Sequence, residues 1–458
     1  MVASRYNLLM PLSRGWLVFN TLYLTAARLS DGLARQLQSG TSSSLGPPTV
    51  WRRFQPTSHP QLSLQAGEAE ALAALGMVAS SQEEEAEVWE RLLQSQRHPK
   101  VLKLTLAYTA ACQMNCGYCF EAGRDQRLKH GPALARQVVA FVEQYLEEHR
   151  GLQGVHLGLF GGEPLLEPEL AEGYLESLAR LARRRGLNFE ASLTSNGLLL
   201  DVTRLARWSR LGLDYVRTTL DGPPAVHNRR RPLLGGGPTF ERILARLVEV
   251  AQALPELGLG LAINLDEQNQ PSQWWLLDIL EHQGLKNSLE ILLEPPLGKF
   301  PRPPRQQGRL LGLAAREVVQ RGFFTPLIPG LCQPCNFTQD HNFIIDWSGH
   351  LSRCSFTMLD PKGRVGHVQQ GVQPGNQDLL QLARSPLGKC EAQQCAYLPL
   401  CGGGCRHEAA LQGGGWGGPN CPLELWDEAL GASLPLRYPE QPPVLSDGRS
   451  CTHPRAPG

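Results

Sequence analysis

The chain lacks the features that would give away a simple surface-binding role. It has no charge excess: 44 Lys and Arg stand against 43 Asp and Glu, a formal net charge of +1. That balance excludes the basic footprint of a general nucleic-acid binder and the polybasic patches that draw proteins to anionic membranes. No apolar run is long enough to span a bilayer. The nearest approach to a signal peptide, GWLVFNTLYLTAA, is interrupted by Asn20, Thr21 and Thr25 and is followed by no small-x-small cleavage site. The alternation in YNLLMPLSRGWLVFNTL predicts instead a β-hairpin turning at Ser13–Gly15, with Arg28 opening a helix. A cytoplasmic protein with neither a nucleic-acid nor a membrane partner is expected. Cysteine is also sparse, at 12 in 458 residues, which excludes a small disulfide scaffold. Yet eight of the 12 fall between Cys332 and Cys421. Such clustering in a long chain reads as metal ligation before disulfides.

A chain of 458 residues suggests two to four domains. Residues 1–98 form a prelude: the hairpin, the Ser/Gly/Pro-rich stretch SGTSSSLGPPT, and helical text ending in EEEAEVWERLLQSQ. From Val101 strand and helix alternate, with strand-like runs VLKLTLAY, VHLGLF, FEASLT, DYVRTTL, GLGLAINL and SLEILLE separated by amphipathic helices. Six such strands imply right-handed crossovers and a curved parallel sheet, short of a complete eight-fold barrel. The class is therefore α/β, a partial (β/α)6 barrel over 99–300. A Pro-rich linker and one helix (301–331), a cysteine-rich unit (332–425) and a disordered tail (426–458) complete the plan.

The loop after the first strand, ACQMNCGYCFE, spaces its thiols as Cys112-x3-Cys116-x2-Cys119. Three thiolates on one loop can cap three irons of a [4Fe–4S] cube and leave the fourth open; a zinc loop or reduced structural cysteines are the alternatives. The loop sits at a strand C-terminus, the catalytic end of a parallel α/β barrel. FGGEP, TSNG and TLDG follow the next three strands and converge on the same mouth. There Gly161 and Gly162 allow close backbone approach, and Glu163 offers a carboxylate to an ammonium group.

With these motifs the sequence resembles the radical S-adenosylmethionine (radical SAM) enzymes over about 101–295. The resemblance implies that Cys112, Cys116 and Cys119 hold a cluster whose open iron chelates S-adenosylmethionine. It implies that Gly161, Gly162 and Glu163 hold the methionyl amine and that the Tyr118 backbone meets the adenine. Ser195, Asn196, Thr219 and Arg231 fall at further cofactor-contact positions, Thr219 replacing the usual Ser. Arg231 is equally readable as one more charge on a solvated Arg229–Arg231 run.

The cysteine-rich unit resembles the SPASM extension of peptide-modifying radical SAM enzymes. Its spacings are Cys335-x13-Gly349-x4-Cys354, then Cys390-x4-Cys395-x5-Cys401-x3-Cys405, then Cys421, with x4 where x2 is usual between Cys390 and Cys395. The resemblance implies two auxiliary [4Fe–4S] clusters, one on Cys332, Cys335, Cys354 and Cys405, the other on Cys390, Cys395, Cys401 and Cys421. Three clusters then use eleven cysteines and leave Cys451. Gly402–Gly404 would turn the chain so that Cys401 and Cys405 serve different clusters; two zinc sites are the rival on ligand count.

The activity implied is that of a maturase acting on a ribosomally made precursor peptide, forming a thioether or carbon–carbon crosslink. The implied partners are a leader-bearing precursor and an electron donor such as flavodoxin or ferredoxin. The prelude either binds the leader by β-augmentation or serves as a lid over the barrel. Because the barrel buries its own core, all three clusters are expected to survive removal of residues 1–98. One alternative is an anaerobic sulfatase-maturating (formylglycine-generating) enzyme, against which stands Ser355 where relatives carry Asp. A zinc-ribbon binding module is the alternative of another class. No catalytic acid or base is identifiable.

Overall fold

The computed structural model describes residues 1–38, 52–53, 62, 64, 66–295, 303–326 and 335–438. Its centre is a sheet built from the predicted strands: β1 (Val101–Ala107), β2 (Gly154–Phe160), β3 (Asn188–Thr194), β4 (Leu213–Thr219), β5 (Gly258–Asn264) and β6 (Glu290–Glu294). These six pair in parallel in sequence order. Helices such as Pro132–Glu148, Pro168–Arg184 and Phe240–Ala253 return the chain between them. Each helix buries one apolar stripe, as with Val138, Phe141, Val142, Tyr145 and Leu146 of the first.

The sheet does not stop at six. Strand β7 (Asn342–Ile345), from the cysteine-rich unit, lies parallel to β1 with Asn342 opposite Lys103 and Ile345 opposite Leu106. Three antiparallel strands, β8 (His350–Ser352), β9 (Arg364–His367) and β10 (Gly371–Val372), extend that edge to ten strands in all. The cysteine-rich unit is thus continuous with the barrel sheet.

The hairpin forms as predicted: Asn7–Pro11 pairs with Trp16–Asn20, and Leu12 N–H donates to Gly15 O at 3.0 Å, with Gly15 at φ 71°. Arg28 does not open a helix; it lies in the strand Thr25–Leu29, and the helix starts at Asp31. Alternation explains why, since this sheet is apolar on both faces. Leu8, Met10, Leu17 and Phe19 join the main core, while Leu9, Val18 and Leu29 join a second core with Leu37, Leu72 and Met77.

Residues 426–438, expected in the tail, are ordered. Helix Leu423–Arg437 buries Leu425, Trp426, Leu430 and Leu434. It packs on helix Pro304–Gln320 at a distance only glycine permits: a Cβ on Gly308 would meet Leu425 O at 2.3 Å. Residues 439–458, with Cys451, lie outside the described residues. Among the described residues no helix is long and apolar enough to cross a membrane.

The prelude does not stand apart from the cysteine-rich unit. Helix Gln82–Arg97 places Trp89 and Leu93 with Tyr6, Leu22, Leu387 and Leu398 in one cluster, against which Cys390 and Cys395 pack. Trp89 Nε1 donates to Glu391 Oε1 at 3.0 Å, and Thr21 Oγ1 donates to Ala396 O. The prelude thus shares in the apolar cover of Cys390 and Cys395. Trp89→Ala should cost about 3–5 kcal/mol in urea unfolding. Peptide mass spectrometry of the metal-free protein should show faster alkylation of Cys390 and Cys395, with Cys112 unchanged as the internal control.

Candidate functional site

The mouth is assembled by backbone contact between two loops. Gly162 N–H donates to Thr109 O at 2.8 Å and Glu163 N–H to Ala111 O at 2.7 Å, which joins the GGEP loop to the entry of the cysteine loop. A Cβ on Gly161 would meet Thr109 O at 2.4 Å, and one on Gly162 would meet Ala111 O at 2.4 Å. Gly161 also has φ 130°. Both glycines are thus required by the approach of protein to protein, a reason the motif alone did not reveal.

Glu163 is fully buried and bridges loops. Its Oε1 accepts from Leu165 N–H and Ser195 Oγ, both at 2.9 Å, and its Oε2 accepts from Asn196 N–H at 2.7 Å. Burial raises its pKa, opposed by these bonds and by the charge of Arg231. Asn196 Nδ2 reaches Gln113 Oε1 at 3.1 Å and Cys112 Sγ at 3.8 Å, so the TSNG loop touches the cysteine loop directly. Thr219 is half-buried at the C-terminal end of β4.

Tyr118 anchors the other side. Its hydroxyl donates to Asp221 Oδ2 at 2.5 Å and accepts from Arg231 Nη1 at 2.6 Å and Asn264 Nδ2 at 3.0 Å. Arg230 pairs with Asp266 at 2.7 Å, and Asn269 donates to the carbonyls of Asp221 and Asn264. Arg231 is 7% exposed, so the solvated-run reading fails for it; of the three arginines only Arg229 is exposed. Its Nε has no partner among the described residues. Asp221, Asn264, Arg230, Asp266 and Asn269 were all missed as site residues. Only Asp221, inside TLDG, carried any sequence signal.

His227 closes this network. Asp221 N–H donates to its Nδ1 at 3.2 Å; its Nε2 faces Thr239 Oγ1 at 3.1 Å, and that hydroxyl donates to Arg231 O at 2.7 Å. The ring is therefore neutral, and burial, aided by Arg231 and Arg230, pushes its pKa down to about 2.

The thiols sort into sets by their mutual electrostatic influence. Cys116 acts on Cys112 and on Cys119. Cys335 and Cys405 act on Cys354, and Cys335 acts on Cys405. Cys395, Cys390 and Cys421 act on Cys401. Cys332 lies outside the described residues. Burial is the largest cause in each case, raising Cys354 and Cys401 to about 12 and Cys112 and Cys405 to about 11. Buried thiols of this kind become thiolates only when a cation compensates them. Gly402, Gly403 and Gly404 all take positive φ, and the turn sends Cys401 and Cys405 to different sets. The buried Arg406 guanidinium holds that turn through the carbonyls of Gly403, Gly404, Trp416 and Gly418. Among the described residues no three His, Cys, Asp or Glu side chains converge as one bound metal ion would require.

Residues 106–269, which span this mouth, match the profile of the Radical SAM superfamily. The chain carries a radical SAM domain. A domain of that kind implies an enzyme with a [4Fe–4S] cluster and S-adenosylmethionine. The radical SAM chain is 24% identical over 340 residues to the cysteine-type anaerobic sulfatase-maturating enzyme of Clostridium perfringens, covering 67% of this chain and 89% of the relative. It is also 24% identical over 365 residues to the pre-heme d1 synthase of Dinoroseobacter shibae, covering 69% of this chain and 84% of the relative. Its fold is similar to that of anSMEcpe solved with bound AdoMet and Cp18Cys peptide, with a TM-score of 0.57 and 19% identity over 73% of this chain and 97% of that one.

Two measurements test this reading of the radical SAM mouth. Tyr118→Phe leaves Asp221 and the donors of Arg231 and Asn264 short of a partner, and should lower stability by about 1–3 kcal/mol in urea unfolding. For His227, the unfolded chain takes up a proton below about pH 6.5, whereas the folded chain does not. Stability should therefore fall with falling pH in that window, by about 1.4 kcal/mol per pH unit from this group. His227→Gln should remove that increment from the pH dependence.

Proposed function

We propose that the protein is a maturase of a ribosomally synthesised precursor peptide, loaded with three [4Fe–4S] clusters and installing a thioether or carbon–carbon crosslink. The observation that carries this reading is a radical SAM domain over residues 106–269 followed by eight cysteines, Cys332 to Cys421, in a SPASM-like unit whose strand Asn342–Ile345 continues the barrel sheet. Cys112, Cys116 and Cys119 would hold the primary cluster; Cys332, Cys335, Cys354 and Cys405 the first auxiliary one; Cys390, Cys395, Cys401 and Cys421 the second. When bound, the primary cluster supplies the reductive cleavage of S-adenosylmethionine that begins hydrogen abstraction from a substrate carbon.

The chain's own residues prepare the cofactor's place. Arg231, buried with Nε unpartnered among the described residues, offers a charge-assisted donor to an anionic group near Cys116. Gly161 and Gly162 bring main chain to the primary loop, and Glu163, Ser195 and Asn196 brace it. Tyr118 and Thr219 border the same space from the cysteine loop and β4. The prelude sheet has an edge strand, Thr25–Leu29, paired on one side only among the described residues, which suits a leader added as a further strand. Electrons would come from a flavodoxin or ferredoxin.

A second reading, sulfatase maturation, is favoured by the likeness to the C. perfringens enzyme and to the peptide-bound anSMEcpe fold. Against it, the residue after Cys354 is Ser355, not Asp.

Anaerobically reconstituted protein should be brown, with iron and sulfide near ~12 per chain. Changing Cys112, Cys116 and Cys119 together to Ala should remove about a third of the iron and all S-adenosylmethionine cleavage. Cys354→Ala and Cys401→Ala should each remove a different third, distinguishable by electron paramagnetic resonance. A colourless protein holding two zinc ions would overturn the proposal.

A further inference from the structure

Tyr174 and His130 form a buried phenol–imidazole pair outside the hydrogen-bond network of the mouth. Tyr174 is 1% exposed and His130 3%, so neither ring is open to solvent. The geometry fixes which group holds the proton. His130 Nε2 lies 2.8 Å from Asp346 O, and a carbonyl can only accept, so Nε2 carries the hydrogen. Nδ1 is then the lone-pair nitrogen, and the Tyr174 hydroxyl donates to it at 2.5 Å. Burial lowers the pKa of His130, which keeps that lone pair free of a second proton. Burial also raises the pKa of Tyr174, which keeps the phenol protonated.

A second phenol joins this pair to the mouth. Tyr108, fully buried just ahead of the cysteine loop, lies 6.1 Å from Tyr174 between ring centroids. Its hydroxyl donates to Pro164 O at 2.9 Å, and the charge of the preceding Glu163 bears on it. The Tyr108 carbonyl accepts from His130 N–H at 2.8 Å, which locks the three residues together. Two phenols thus lead from behind the GGEP loop to a base.

A phenol gives up an electron far more readily when its proton has somewhere to go, because the phenol cation radical is a very strong acid. Electrons cross packed protein without any opening, so burial does not isolate the pair. Burial instead shields a phenoxyl radical from water and solutes. We infer that Tyr174, with His130 as its proton acceptor, is a redox-active tyrosine that quenches carbon-centred radicals formed but not used in the mouth. One electron passes from Tyr174 by way of Tyr108 to the carbon radical, which takes a proton from water and becomes a closed-shell C–H. The Tyr174 O–H bond breaks and its proton forms an N–H bond at His130 Nδ1. A neutral phenoxyl is left beside an imidazolium, and an external one-electron reductant restores the pair as the proton returns. The inference needs radical chemistry in the mouth but no peptide substrate, so it stands apart from the maturase reading.

The test is a single turnover of the reconstituted, full-length enzyme without peptide. Its clusters are reduced, excess reductant is removed, S-adenosylmethionine is added, and the sample is freeze-quenched. Electron paramagnetic resonance at liquid-nitrogen temperature, where reduced clusters relax too fast to be seen, should show a neutral tyrosyl radical. Tyr174→Phe should lower its yield at least tenfold, while Tyr145→Phe should leave it unchanged. Tyr145 is the control because its hydroxyl meets His341 Nδ1 at 2.8 Å, yet that imidazole is only half-buried. Ring-fluorinated tyrosine in place of Tyr174 should add a fluorine splitting to the signal, an arm that removes no group. Flash oxidation of the metal-free chain with ruthenium tris-bipyridine and persulfate should yield the same radical without any cluster. No tyrosyl radical in an enzyme that cleaves S-adenosylmethionine, an undiminished signal in folded Tyr174→Phe, or no added splitting each overturns the inference. If no cofactor is cleaved, the proposed function suffers and the flash arm alone decides, its silence also overturning the inference.

Discussion

Four residues, Asn342–Ile345, hold the architecture together by running parallel to the first strand of the barrel sheet. Parallel pairing gives the two strands one direction, so the turn after Ile345 emerges beside the cysteine loop that follows Ala107. Trp347 then meets Arg124, and Phe356 meets Phe120. That ladder ties the Cys112–Cys119 loop to the segment carrying Cys354. With it, their spacing is set by backbone hydrogen bonds, which are far stiffer than side-chain packing alone.

The mouth itself is polar, and its order comes from hydrogen bonds among a few buried groups. Glu163 takes three hydrogen bonds from two loops, and the Tyr118 hydroxyl joins Asp221, Arg231 and Asn264. In a low-dielectric interior such networks hold geometry firmly because each unmade bond is expensive. Among the described residues Arg231 and Arg230 at Nε and Gln113 at Nε2 are left without a hydrogen-bond partner against that background.

The irregular Cys390-x4-Cys395 spacing also finds a physical reason. The additional residues form the end of a short helix and a turn in which Gln394 takes φ 50°, a left-handed value uncommon outside glycine. Glu391, within that insertion, accepts from Trp89 of the prelude. The longer spacing is thus the surface on which the N-terminal unit docks.

Much was legible because its signals are local. Strand and helix alternation from Val101 to Glu294 and the hairpin at Ser13–Gly15 follow from short-range period and spacing. Other features depend on residues distant in sequence and have no local signature. Nothing around Lys103 announces Asn342 as its neighbour, and nothing in LELWDEALGASLPLR distinguishes a packed helix from a tail until Gly308 and Gly312 admit it. Arg231 illustrates the division most plainly: in RRR it is one charge among three, and only burial beside Tyr118 and Cys116 makes it different. Sequence by itself determined which thiols lie on which loops, because chain connectivity limits how far neighbours can separate. The tertiary structure alone decided which charges are dry, because desolvation depends on everything that packs around them.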